Sequence, residues 1–261
     1  MRKLLSVLAA TLLTGCASIA DAGALADVSV INRNTGERLQ VYRHGARLYV
    51  EGRAGERYAV ELRNRNGGRI LTVLSVDGVN AITGQTAAAG QSGYVLGAGD
   101  RAEISGWRKD MSAVAAFYFT AIPDAYAART GRPDNIGVIG VAIYKEYAEP
   151  PRVMLEAPAQ ARSDAASRSS AGAAAAPSAP AASEPPAQRH KMAEEKLGTG
   201  HGERIHAPTQ YTEFRRASSA PAEVIAIYYD SRQNLIAQGI IPRHARMPQP
   251  FPNGGFAPDP S

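Results

Sequence analysis

Between residues 27 and 145 apolar side chains recur at every second position in short bursts. "DVSVINR", "RLQVYRH", "RLYVEG" and "RYAVELRN" show the pattern first; "RILTVLSVDG", "SGYVL", "RAEISGW", "VAAFYFTAI" and "IGVIGVAIYKE" continue it. A period of two turns one face of each segment toward a core, as half-buried strands require. Gly, Asn, Asp and Pro punctuate the bursts. The pattern predicts an all-β domain over residues 27–156, an antiparallel β-sandwich or barrel. Asn66-Gly67, between two runs, reads as a hairpin turn. "VAAFYFTAI" has few polar breaks and reads as a central strand covered on both faces. The expected core comprises Val60, Leu62, Ile70, Val73, Val76, Ile104, Trp107, Phe117, Phe119, Val138, Val141 and Ile143.

The alternation stops after Glu156. Residues 157–195 are dominated by Ala, Ser and Pro, with too little apolar bulk to offset the entropy of ordering them, and read as a disordered linker. Alternation returns in "PAEVIAIYYD" and "NLIAQGII". These predict a C-terminal β-hairpin, strands 222–230 and 234–241, within a module spanning 196–245. A lone hairpin is marginally stable, so it must pack on something, the sandwich first of all. Residues 246–261 are Pro-rich and read as a disordered tail.

The N-terminus changes the picture of location. "MRKLLSVLAATLLTGCAS" places Arg2 and Lys3 before an apolar run from Leu4 to Leu13, followed closely by Cys16, the only cysteine in the chain. This is the layout of a secretory signal. Leu13-Thr14-Gly15-Cys16 resembles the lipobox of bacterial lipoproteins, which implies a signal peptide over 1–16, acylation of Cys16, and a spacer over 17–26. Ala17 resembles the sorting position of outer-membrane lipoproteins. The alternative is an ordinary signal cut after Ala22 or Ala26, giving a soluble periplasmic or secreted chain. Either way no cysteine pair is left to form a disulfide.

Charge and motifs narrow the chemistry. The 261-residue chain carries a net +5 charge spread thinly along its length, without the basic stripe that nucleic acid demands. "KLGTGHGERIH" (196–206) packs three glycines and two histidines together. It lacks the lysine of a phosphate loop, and the spacing of His201 and His206 suits neither a helix face nor one strand face. Its glycines read as a turn from linker to strand. No metal or other cofactor is expected. Asp77-Gly78 reads as a turn, and no Gly-x-Ser-x-Gly elbow is present.

One loop stands out. "IPDAYAARTGRPDNIG" (122–137) is long for a sandwich connection, and long loops tend to be disordered or functional. It offers Asp124, Tyr126, Arg129, Arg132, Asp134 and Asn135 as a candidate interaction surface. Its structural alternative is a short helix with Asp124 as N-cap and Gly131 after the C-cap. The ordered segments, including "FYFTAIPDAYAARTGRPDNIGVIGVAI" and "IYYDSRQNLIAQGIIP", are similar to a group of proteobacterial envelope proteins, a resemblance that implies location and supplies no catalytic residues.

These readings lead to a lipid-anchored envelope protein, attached to the membrane through Cys16 and facing the periplasm. Its sandwich is expected to be a non-catalytic binding or structural module with a protein partner in the envelope. Two alternatives stay open. One is a hydrolase-like enzyme using carboxylates of the 75–95 and 122–137 loops; the other is a small-ligand or glycan receptor.

Overall fold

The computed structural model describes residues 23–149 and 196–242. Cys16 with its lipobox, the Ala/Ser/Pro linker and the Pro-rich tail all fall outside the described residues. Within them, two sheets face one another and do not close into a barrel, so the fold is a β-sandwich.

The first sheet is built on β1 (Ala26–Asn32), β4 (Arg57–Asn64), β10 (Ala113–Ala121) and β12 (Leu197–His206), side by side in that order. Two short strands join it: β8 (Arg101–Ile104) pairs with β4, and β9 (Gly106–Arg108) with β10. The second sheet runs β2 (Val41–His44), β3 (Arg47–Gly52), β13 (Glu223–Ser231), β11 (Val138–Lys145), β5 (Ile70–Val76) and β6 (Val79–Asn80), with β7 (Tyr94–Leu96) also on β5. All pairings are antiparallel except β13 with β3. Between the sheets the aromatic rings of Tyr58, Phe117, Phe119 and Tyr229 pack together. Tyr58 and Phe119 stack with centroids 4.3 Å apart, an arrangement that adds to the gain from burial alone.

Eleven of the twelve expected core residues are buried; Val138 is half-buried. Val73 lies with Leu71, Ala142 and Tyr144 in a second apolar cluster, against which Val95 and Phe214 pack. Successive residues of β5 thus serve different clusters, because strand side chains alternate between faces. β10 is buried along most of its length, between β12 on one side and β4 and β9 on the other.

Three sequence expectations are overturned. Asn66-Gly67 is not a hairpin turn, since β4 and β5 belong to different sheets. The crossing is held by the buried Asn64 side chain, whose Nδ2 donates to the carbonyls of Gly68 (2.8 Å) and Gly97 (2.7 Å). The two-residue hairpin lies instead at Asp77-Gly78, between β5 and β6, with φ of 52° and 73°. Positive φ at both central residues is what the twist of a tight hairpin requires.

Second, "KLGTGHGERIH" is a strand, not a turn. Gly198, Gly200 and Gly202 fall at period two along β12 and admit neighbours where a Cβ would sit. A Cβ at Gly198 would lie 2.6 Å from Ala125 Cβ, and one at Gly200 would lie 2.2 Å from the Tyr118 ring. Tyr118 is the cross-strand partner of Gly200. Close approach, rather than a turn, is why glycine is there.

Third, the C-terminal hairpin does not exist. Residues 222–230 do form a strand, but 234–241 do not pair with it; Arg232–Ala237 form the helix α2. Ser231 caps its N-terminus, accepting from the Asn234 amide at 3.2 Å. The other end closes with Ile240 N–H on the Leu235 carbonyl and Gly239 N–H on that of Ile236, with Gly239 at φ 74°. This is a Schellman motif, and Leu235 and Ile240 share the apolar contact that accompanies it. A serine cap and a glycine stop eight residues apart set a helix where alternation alone suggested a strand. The partners of β13 are instead β3 and β11, so the segment after the linker completes both sheets. The sandwich therefore is not confined to 27–156.

Candidate functional site

The 122–137 loop forms two 3-10 turns (Ile122–Asp124 and Pro133–Asn135) flanking the one-turn helix α1 (Tyr126–Arg129). Ala125 takes the N-cap position of α1, without a side-chain cap, so Asp124 does not cap it. Gly131 does follow the C-cap, at φ 74°. Of the six candidate residues the structure brings two together. Arg132 sits over the Tyr126 ring, 5.7 Å from its centroid, and reaches the Gly84 carbonyl at 3.0 Å. Tyr126 in turn packs on Trp107 (4.8 Å) and His201 (5.1 Å). Asp124, Arg129, Asp134 and Asn135 are exposed and do not converge. The loop closes the sandwich over the Asp77-Gly78 turn, where a Cβ on Gly78 would come 2.8 Å from that of Asn135.

Beneath that turn lies a polar network in the apolar interior. Asp77 is fully buried. Its carboxylate accepts from the Thr199 amide (2.7 Å), the Gly137 amide (3.0 Å) and the Tyr229 hydroxyl (2.5 Å). Thr199 Oγ1 lies 2.7 Å from the Tyr229 oxygen and 2.6 Å from the Tyr58 oxygen. Because Tyr229 gives its proton to the ionised Asp77, Thr199 must donate to Tyr229, and Tyr58 to Thr199. Three hydroxyls thus point in one direction toward one carboxylate. Burial pushes the Asp77 carboxyl up from 3.8 to about 6, against the lowering effect of its hydrogen bonds, that from Tyr229 first. Burial, then the Asp77 charge, raises Tyr58 and Tyr229 well above the usual phenol range. The network ties β12 and β13 to the Asp77 turn and to β4. Being sealed and satisfied by the protein's own donors, it presents no group to a substrate.

The open site lies elsewhere. A groove of about 1060 Å³ runs between β7 and the extended segment 209–214 that leads from β12 toward β13. Leu71, Val95, Met111 and Phe214 give it apolar walls, and Tyr211, 90 % exposed, stands at its rim. Arg108 and Arg216 bring two guanidiniums. The one carboxylate in the lining, Asp110, is paired with Arg204. Arg108 donates through Nη1 to the carbonyls of Ala207 and Asp110. The Tyr94 hydroxyl and Arg108 Nε are each buried without a hydrogen bond of acceptable geometry. Burial raises the Tyr94 phenol, and the nearby Arg108 only partly opposes that. Arginines are laid on aromatic rings around the groove: Arg108 on Tyr94, Arg216 on Tyr144, Arg69 on Phe214 and Arg215 on Tyr147.

Sequence reasoning did not find this site. Its residues come from five separate stretches between 71 and 216, none with a local motif, and they share a surface only because β12 returns beside β10. His201 and His206, singled out in the sequence, lie on β12 away from the groove lining, both exposed. Partial burial, with Lys109 next, lowers the His201 pKa. Among the described residues no group of three or more His, Cys, Asp or Glu is placed to hold a metal. Compared with protein families, curated proteins and solved structures, the chain matches none.

Proposed function

We propose that the chain is a lipid-anchored protein of the bacterial cell envelope whose β-sandwich is a non-catalytic binding module. The observation that carries the binding half of this reading is the groove between β7 and 209–214. It combines apolar walls with guanidiniums that have no carboxylate partner within it, the composition of a recognition site. The catalytic alternative is less well supported. Asp77, the one carboxyl of the two candidate loops with a raised pKa, is sealed in the core. Asp124 and Asp134 stand exposed and apart from it. The anchor half rests on the lipobox sequence around Cys16, for which acylation would supply the membrane attachment. Among the described residues no helix is long and apolar enough to cross a membrane.

Each half has its own test. Cells fed radiolabelled palmitate should label the wild-type chain and not Cys16→Ala, and the variant should leave the membrane fraction. Unchanged labelling and sedimentation would overturn the anchor. For binding, a photo-crosslinking amino acid at Tyr211 in intact envelopes should give a discrete adduct. The same group at Asn34, on the exposed turn after β1, should give none. Equal adducts at both positions, or none, would remove the binding reading.

A further inference from the structure

We propose that the groove takes an extended acidic peptide segment of a partner protein, its carboxylates at Arg108 and Arg216 and its backbone alongside residues 210–214. This rests on the binding reading above and specifies its ligand. Three independent observations point to it.

Charge is the first. Arg108 and Arg216 make no ion pair among the described residues, and Asp110 is committed to Arg204. The groove therefore holds positive charge that nothing within it neutralises. Guanidinium is the side chain suited to planar, two-point recognition of a carboxylate. Arg108 donates through Nη1 to two carbonyls, and Arg216 through Nη1 and Nη2 to those of Gly90 (2.9 Å) and Gln91 (2.6 Å), so both guanidiniums are held at the groove by neutral acceptors that leave their charge in place.

Backbone is the second. Residues 207 and 209 bond to the carbonyls of Ser112 and Met111, and 215–217 pair with 145–147. Between these anchored ends the amides of 210–214 have no partner among the described residues. The segment is nevertheless held in place: Arg69 donates to the Thr212 hydroxyl (3.2 Å) and the Glu213 carbonyl (2.9 Å). Across the groove, β7 pairs among the described residues with β5 alone. A fixed, extended, unpaired backbone is the feature that recruits an added strand.

Apolar surface is the third. Alternate side chains of an added strand point to opposite sides, so one set can meet Leu71, Met111 and Phe214 while the other carries the acids. Tyr211, almost wholly exposed at the rim, is placed to close over such a segment. A compact inorganic anion would leave these walls uncovered.

The test uses the full-length chain and fluorescein-labelled seven-residue peptides that alternate valine with glutamate or valine with lysine. Binding is read by anisotropy, with dodecanoate as a non-peptide competitor. The acidic peptide should bind and the basic one should not, with affinity falling steeply as salt rises. Arg108→Gln should weaken binding at least tenfold, and so should Tyr211→Ala, whose exposure makes misfolding no explanation. Amide resonances of 210–214 should shift on addition of the acidic peptide. Equal binding of both peptides, or no effect of either substitution, would overturn the proposal; so would dodecanoate binding where the peptide does not. If the acidic peptide fails while Tyr211 crosslinks persist in envelopes, the ligand class falls and the binding reading stands. Loss of both removes the binding reading itself.

Discussion

The Tyr229 hydroxyl donates to Asp77 Oδ1 at 2.5 Å across 152 residues of sequence. This bond joins the strand that follows the linker to a hairpin turn that precedes it. Thr199, on the other post-linker strand, contributes both its amide and its hydroxyl to the same network. The two halves of the chain therefore meet through one buried carboxylate, and its ionisation bears on how firmly they are held.

Stability should fall as Asp77 ionises. Its carboxyl is raised from 3.8 to about 6 in the folded chain, by burial above all. Between those values the folded state binds more protons than the unfolded one, so unfolding free energy decreases with rising pH. The contribution is fully present below the unfolded pKa and is lost as pH passes through the folded one. Two pKa units correspond to ~3 kcal/mol. Urea titrations of wild type and Asp77→Asn from pH 3 to 8 isolate it. The wild type should lose ~3 kcal/mol relative to the variant across that range. A flat difference, or one of opposite sign, would show that Asp77 is not the titrating group.

Gly200 should be coupled to Tyr118. A Cβ at Gly200 would sit 2.2 Å from the Tyr118 ring, and overpacking of this kind costs about 1–3 kcal/mol. Gly200→Ala should show that loss in chemical denaturation. In a Tyr118→Ala background the same substitution should cost nearly nothing, because the clashing ring is gone. A double-mutant cycle reads the coupling directly, and additive effects would refute the close-approach role of the glycine.

The segment 196–242 should be indispensable to the fold. β13 lies between β3 and β11, and its Ile225, Ile227 and Tyr229 are buried in the shared core. Each such side chain is worth about 1.5–3 kcal/mol of burial, and together they approach the whole stability of an ordinary domain, roughly 5–15 kcal/mol. A chain ending at Glu149 should lack the cooperative unfolding transition of the full protein, and a peptide of residues 196–242 should restore it in trans. A truncated chain that unfolds cooperatively at the wild-type temperature would contradict the central place of β13.

Strand identity was legible wherever one face of a segment is buried, since alternation at period two is a local consequence of that burial. This holds from "DVSVIN" through "IGVIGVAIYK", and for "EVIAIYYDS" after the linker. The tight Asp77-Gly78 turn was legible too, because its backbone demands are met by those two residues alone. Pairing was not legible. Nothing within residues 223–231 indicates that their neighbours are β3 and β11 rather than the residues that follow. Sheet hydrogen bonds are made by backbone groups common to every residue, so partner choice depends on how whole faces pack. The helical ending at 231–240 did carry a signal, Ser231 and Gly239, which alternation over a few residues obscured.

The alternating glycines of β12 share this ambiguity. By themselves they describe a turn as well as a strand, and only Ala125, Ala116 and the Tyr118 ring, brought against them by folding, decide between the two. The groove belongs wholly to tertiary structure. Arg108, Tyr94, Phe214 and Arg216 are unremarkable in sequence and form a site because two sheets and one extended segment place them on a common surface. From its sequence alone the chain determined where most of its strands lie, where its composition breaks, and most of which residues sit in the core, because burial acts on each residue locally. Which strands pair, which polar groups meet beneath them, and which surface is left open were decided only when segments far apart in the chain came together.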